Sequence, residues 1–351
     1  MLLEGLHIPL TTPFHPDGRL NPHKLASNIA RYSKTPSAGL ILLGPCGEPT
    51  LLSDDETREV LRTASQSAAP EKVLIAGISR DSVHSTLALA EFAAEQNYDA
   101  ALTGIPSILT AESNTRELVI YFQTIADRSP IPIILLCVNG HAIPIDAIVE
   151  LAAHPQIIGL FHSNSQQSES AIADILARSA TIRHEVTVTP TFAAVTSRME
   201  IAAAATNGRA ALISVGSLTG AATAVAEPLT ILPQLRTRTK AVGFQIIVAH
   251  TPQMLADLRA GASAIAPVFA ACASQACFEV FAAWKDDDQP LADEKQARIL
   301  QPAALAEDSP AALKFASDLN GYFGGLPRLP HLPLTGVQRA TLELAMKPVR
   351  N

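Results

Sequence analysis

The stretch "VLIAGISRDSVHSTLALAEFAAEQNYDAALTGI" (Val73–Ile105) holds one complete unit of the fold. Its ends, Lys72–Ile78 and Ala100–Ile105, are short apolar runs, too short for helices and built as strands buried on both faces are built. Between them, Ser82–Gln96 carries apolar residues at helical spacing. Strand, helix, strand with short links is the signature of a parallel sheet with helices outside it.

The same alternation continues in both directions. Leu6–Thr12, Ala38–Gly44, Ile131–Val138 and Ile157–His162 read as further strands. Asn21–Ser33, Asp54–Ala68, Asn114–Ala126, Ile145–Ala153 and Ser168–Arg178 read as helices. "SDDE" (Ser53–Glu56) is a capping box, in which Ser53 caps the helix and Glu56 reaches back. Six such units with right-handed crossovers and no visible order reversal predict an α/β (β/α)8 TIM barrel. An open doubly wound sheet is the alternative, but no G-x-G-x-x-G follows the first strand, so a dinucleotide fold loses support.

Beyond Arg178 the pattern holds one unit too many. Glu185–Gly216 and Phe244–Phe269 both read strand, helix, strand, and a barrel with six strands placed needs only one of them. Residues 1–270 are therefore expected to form the barrel, with an inserted segment at about 185–242, and residues 271–351 a C-terminal helical domain. The insertion could lid the barrel mouth, form a subunit contact or pack as decoration. Helical patterns at Gln275–Lys285, Ala292–Leu300 and Ala311–Leu319 precede a proline-rich turn, "GGLPRLPHLPLT", and a last helix, Gly336–Met346.

Composition narrows the function classes. A net charge of −7 without a basic block disfavours nucleic acid as a partner. No apolar run reaches membrane-spanning length, and the N-terminus lacks the order of a signal peptide. Cys46, Cys137, Cys272 and Cys277 have no framework spacing, so a reducing cytoplasm is expected.

Taken in order, "TTPFHPDGRLN", "GLILLGPCGEPTLLSDDE", "VLIAGISRDS", "IPIILLCVNG", "IIGLFHSNS", "AGASAIAPVFA", "EVFAAWKDDD" and "GGLPRLPHLPLT" resemble the dihydrodipicolinate synthase/N-acetylneuraminate lyase family. The likeness covers roughly residues 5–163 and 243–346, and its most specific part is the G-x-x-G-E core at Gly44–Glu48 with Thr12–Phe14. The resemblance implies a barrel, dimers or tetramers, and class I aldolase or lyase chemistry on pyruvate or another 2-oxo acid. In such a reaction a lysine forms a Schiff base, and the protonated imine acts as an electron sink.

Carried over by position, the resemblance puts the family's lysine at Phe161 and its tyrosine at Leu136. The two hydroxyl residues of G-x-x-G-E fall at Pro45 and Cys46, the fourth-strand tyrosines at Ser107 and Ile108, the basic residue near His141, and the seventh-strand glycine near Ala249. Thr12, Gly44, Gly47 and Glu48 match. Thr12, Gly44, Pro45, Cys46, Gly47, Ser107, Leu136, His141, Phe161, His250 and Ile265 are the expected pocket lining. No catalytic residue is assigned and no cofactor is expected. Of the eight lysines, seven lie in helical or polar surface patterns, and Lys72 opens strand three at the wrong end of a barrel for chemistry. The expectation is a lyase-family barrel that acts on a small 2-oxo acid without a Schiff base. The alternative is a catalytically inactive barrel used for binding or scaffolding.

Two other chemistries come from the residues alone. Cys46, in a loop leading to a helix N-terminus, could pair with His162 or His250 as a nucleophile, or simply fill space. His141, His162 and His250 could hold a divalent metal, but if Phe161 points into the barrel, strand parity turns His162 outward. Glu48 is an acid near the pocket, and the resemblance implies that it is a structural carboxylate holding its loop. "KDDD" (Lys285–Asp288) reads as a solvated turn; "LPRLPHLPL" could suit a proline-motif binder, but the resemblance implies a structural turn there.

Overall fold

The computed structural model describes residues 1–109, 114–138, 141–163, 168–204 and 235–350. Eight parallel strands close into a barrel surrounded by helices. The first six are β1 (Gly5–Pro9), β2 (Gly39–Leu42), β3 (Val73–Gly77), β4 (Ala100–Gly104), β5 (Ile133–Val138) and β6 (Ile157–Ser163). They alternate with α1 (Pro22–Tyr32), α2 (Asp54–Ser67), α3 (Val83–Glu95), α4 (Thr115–Arg128), α5 (Ile145–Ala152) and α6 (Ser168–Arg178). The capping box at Ser53 is formed in both directions.

The second of the two competing units closes the barrel. β9 (Gln245–Val248) pairs with β6, α8 (Met254–Arg259) follows, and β10 (Ala264–Ile265) pairs with both β9 and β1. The first unit forms no barrel strand among its described residues. β7 (His184–Val188) instead pairs antiparallel with β8 (Arg238–Val242), and α7 is described over 197–204. The second strand expected in that unit, at 207–215, lies outside the described residues.

This hairpin lies under the floor of the barrel, at the N-terminal ends of the strands. Val186 and Val188 pack with Leu2, Ser197 N donates to Asp99 Oδ1 at 2.9 Å just before β4, and Thr196 caps Pro70 O before β3. Its position has a topological cause: β6 runs up to the mouth, α6 carries the chain back down, and the extra residues follow α6. The described part of the insertion is thus a packed addition to the floor and not a lid over the mouth.

The period of two along each strand sorts the side chains into two cores. Ile41, Ile75, Leu102, Ile134, Phe161, Ile247, Ala249 and Ala264 fill the lumen. Leu40, Leu74, Ala101, Leu135, Leu160 and Ile246 face the helices. After β10, α9 (Ala270–Lys285), α10 (Gln289–Ala306), α11 (Pro310–Leu319) and α12 (Gly336–Met346) pack on one side of the barrel. Tyr322 stacks on Tyr32 of α1 at 4.1 Å, and Asn28 exchanges two 2.8 Å hydrogen bonds with the backbone of Phe323.

One buried base sits in the lower lumen. His7 is fully buried, its Nε2–H donates to Leu3 O at 2.8 Å, and its Nδ1 lies where a Cβ on Gly39 would have to go, only 2.6 Å away. Burial lowers the His7 pKa from 6.5 to about 4. The folded ring binds its proton less readily than the unfolded one. Its contribution is therefore complete above about pH 6.5 and is lost as pH falls toward 4. That window is worth on the order of 3 kcal/mol. Asp257, whose carboxyl burial pushes up to about 6, acts in the opposite sense over part of the same range. The difference between wild type and His7→Gln isolates the ring. Urea melts from pH 7 to 4 are expected to show the wild type losing stability relative to the variant as pH falls, and a pH-independent difference would refute the assignment.

Candidate active site at the barrel mouth

A cavity of about 550 Å³ opens at the C-terminal ends of β2 to β5. Gly44, Pro45, Ser107, Leu136 and His141, all expected from the sequence, line it. Thr50, Leu52, Ser79, Arg80 and Asp81 also line it, and the sequence reading assigned them nothing. A signal for them exists in "ISRDS", a polar run at the upper end of a buried strand, which is the end of a barrel where chemistry resides.

The remaining expected residues are placed as follows. Phe161 lies in the lumen with 1% exposure, in register beside Leu136 on β5. Thr12 is buried, and its hydroxyl donates to Gly47 O at 2.6 Å, tying the loop after β1 to the G-x-x-G-E turn. Cys46 is partly buried against the outer core, with Sγ directed at Pro9 O at 3.4 Å. Burial pushes its thiol up to about 12, which leaves it protonated and a poor nucleophile at neutral pH. Ile265 packs in the outer core, because the lumen positions of β10 fall to Ala264 and Ala266. His250 follows β9, and burial lowers its pKa.

His162 pairs in register with Cys137, which faces the helices, so it leaves the lumen as parity requires. Among the described residues no three of His, Cys, Asp and Glu gather into a metal-holding group, and His141, His162 and His250 do not come together.

The eight lysines are all described and all lie elsewhere. Lys72 Nζ donates to Thr35 O and Ser37 O at 2.8 and 2.7 Å beneath the floor. Lys240 and Lys285 pair with Glu4, Lys295 with Glu279, and Lys24, Lys34 and Lys347 are exposed. Lys314 corrects the sequence reading. Its helical pattern suggests a surface position, yet its side chain has no exposure and pairs with Glu48. Glu48 also accepts from Arg328 N at 3.1 Å, and both Lys314 and Arg328 stand 4.3 Å from the Phe14 ring. Glu48 therefore holds the G-x-x-G-E turn against the C-terminal helices, and its charge is directed away from the cavity.

Among the described residues no helix is long and apolar enough to cross a membrane. Known proteins agree with this architecture. The chain is 31% identical over 167 residues to the L-threo-3-deoxy-hexylosonate aldolase of Hypocrea jecorina, a match covering 44% of this chain and 52% of that one. It is 25% identical to a 4-hydroxy-tetrahydrodipicolinate synthase of Exiguobacterium sp. over 99% of this chain and 98% of the relative. In fold it matches the chloride-inhibited dihydrodipicolinate synthase of Acinetobacter baumannii, crystallised with pyruvate, with a TM-score of 0.75 and 19% identity over 99% of each chain. The model of the dihydrodipicolinate synthetase family matches residues 2–181, and with the closed barrel and its G-x-x-G-E turn this places the chain in that family.

Proposed function

We propose that the barrel mouth binds a 2-oxo acid or a related small carboxylate, and that the chain does not process it through an imine. The family's aldolase and synthase activities, and the pyruvate held by the solved relative, support a small-molecule ligand of this kind. The observation that carries the reading is the Phe161 ring in the lumen, with every lysine outside it. A class I aldolase needs a primary amine at the keto carbon, because the imine is what takes up the electron pair when the carbon bond breaks. Leu136 beside Phe161 offers no proton relay. Loss of single catalytic groups commonly costs on the order of 10³–10⁶ in rate. The mouth that remains can bind and orient an acid while leaving its bonds intact.

The test is reductive trapping. The protein is incubated with pyruvate and sodium borohydride, and its intact mass is measured. The expected result is an unchanged mass together with a rise in melting temperature on adding 2-oxo acids. A covalent adduct on any lysine would overturn the reading.

A further inference from the structure

We infer that Arg80 is the anion-binding residue of the mouth cavity, and that the ligand it selects is a carboxylate carrying an apolar body larger than pyruvate. This rests on the mouth being a ligand site.

Among the described residues that line the cavity, Arg80 is the single lysine or arginine. Its described partners are weak competitors for an anion. Nη1 donates to Ser79 O at 2.9 Å and Nη2 to the Thr57 hydroxyl at 3.1 Å, both neutral. The carboxylate of Asp54 is 3.7 Å from Nε and 80% exposed, an ion pair of the kind that contributes little. Asp81, the lining carboxylate, is engaged elsewhere: Ser107 N donates to its Oδ1 at 2.7 Å. The Ser107 hydroxyl and N–H hold that carboxyl below its ordinary range. Arg80 thus keeps a fork able to take a carboxylate in the bidentate manner.

The two hydroxyl side chains that the family resemblance places in the G-x-x-G-E turn, at the neighbouring strand end, are replaced here. Pro45 has neither hydroxyl nor N–H, and Cys46 directs its sulfur to Pro9 O. Arg80 lies one strand over, after β3, and supplies a positive charge to the same cavity. Leu43, Leu52, Ile105, Leu136 and Val138 give the wall a large apolar share beside the polar Thr50, Ser79, Asp81, Ser107 and His141. Cavities of about 300–1,000 Å³ suit drug-sized ligands. The observed 550 Å³ lies in that range, and pyruvate would leave most of it to water against greasy walls.

Isothermal titration of the full chain with phenylpyruvate, 4-methyl-2-oxopentanoate, pyruvate and the uncharged ketone 4-methylpentan-2-one tests both parts. The two apolar acids are expected to bind at least about tenfold more tightly than pyruvate or the ketone, a gap of about 1.4 kcal/mol. Arg80→Gln should weaken them about ten- to a hundredfold, Arg80→Lys less, and Leu136→Trp, which fills the cavity, should abolish binding. If Arg80→Gln does not fold, Arg80→Lys still reports the loss of the fork as a several-fold weakening. Unchanged binding in both Arg80 variants overturns the assignment of Arg80 while leaving the mouth as the site. Equal affinity for pyruvate and phenylpyruvate overturns the ligand class. No binding by wild type, or binding that survives Leu136→Trp, overturns the mouth reading itself.

Discussion

Replacing Lys314 by Met is expected to destabilise the protein by roughly 3–5 kcal/mol, the cost of leaving one member of a buried ion pair alone. The Glu48 side chain is only 3% exposed, and its remaining described hydrogen bond is the 3.1 Å one from Arg328 N. Without the ammonium, that buried carboxylate keeps, among the described residues, only the Arg328 N–H and the more distant Arg328 guanidinium as partners. Glu48 also holds a left-handed backbone, φ 52°, which its side-chain contacts help to pin. Burial lowers the Lys314 pKa and Glu48 pulls it part of the way back, so the ammonium leans on the carboxylate. The double variant Glu48→Gln with Lys314→Met removes both charges and should recover much of the loss. Urea denaturation of the single and double variants reads this directly. A loss below about 1 kcal/mol for Lys314→Met would show that the pair does not hold the turn.

Phe161→Ala is expected to cost a similar roughly 3–5 kcal/mol, and for a different reason. The ring is nearly fully enclosed, and its lumen neighbours include Ala249, Ala264 and Ala266, which have no side chain long enough to fill a void. Eight mutually hydrogen-bonded strands fix the width of the lumen, so the walls cannot close in. Most of the cavity would persist, and the penalty lies near the upper part of the range for large-to-small changes. Leu136→Ala, at a partly buried position open to the mouth, should cost distinctly less. If the two substitutions cost the same, Phe161 is not the plug of the upper lumen.

The barrel is legible in the sequence because parallel strands covered on both faces must be continuous apolar runs. Lys72–Ile78 and Ala100–Ile105 each contain the observed strand, and Ser168–Arg178 is the observed helix. Parity alone separates Phe161 from His162, and the two cores divide them in that way. The choice between Glu185–Gly216 and Phe244–Phe269 was not legible. Both have strand-like apolar content, and only the partners decide: Gln245–Val248 finds β6, while His184–Val188 finds β8. The burial of Lys314 was hidden as well, since a helical pattern records periodicity and not a salt bridge to a loop more than 250 positions earlier. Arg80 escaped notice because its role depends on the cavity beside it, and pairing across strands, not local sequence, creates that cavity.

The hairpin beneath the barrel has a consequence for how this chain could diverge. An addition at the entrance would compete with whatever enters. Added below, beside Leu2 and Asp99, new chain rests on the half of the molecule that carries stability. Growth at one pole and retuning of the opposite pole can then proceed as separate evolutionary experiments, each sparing the other.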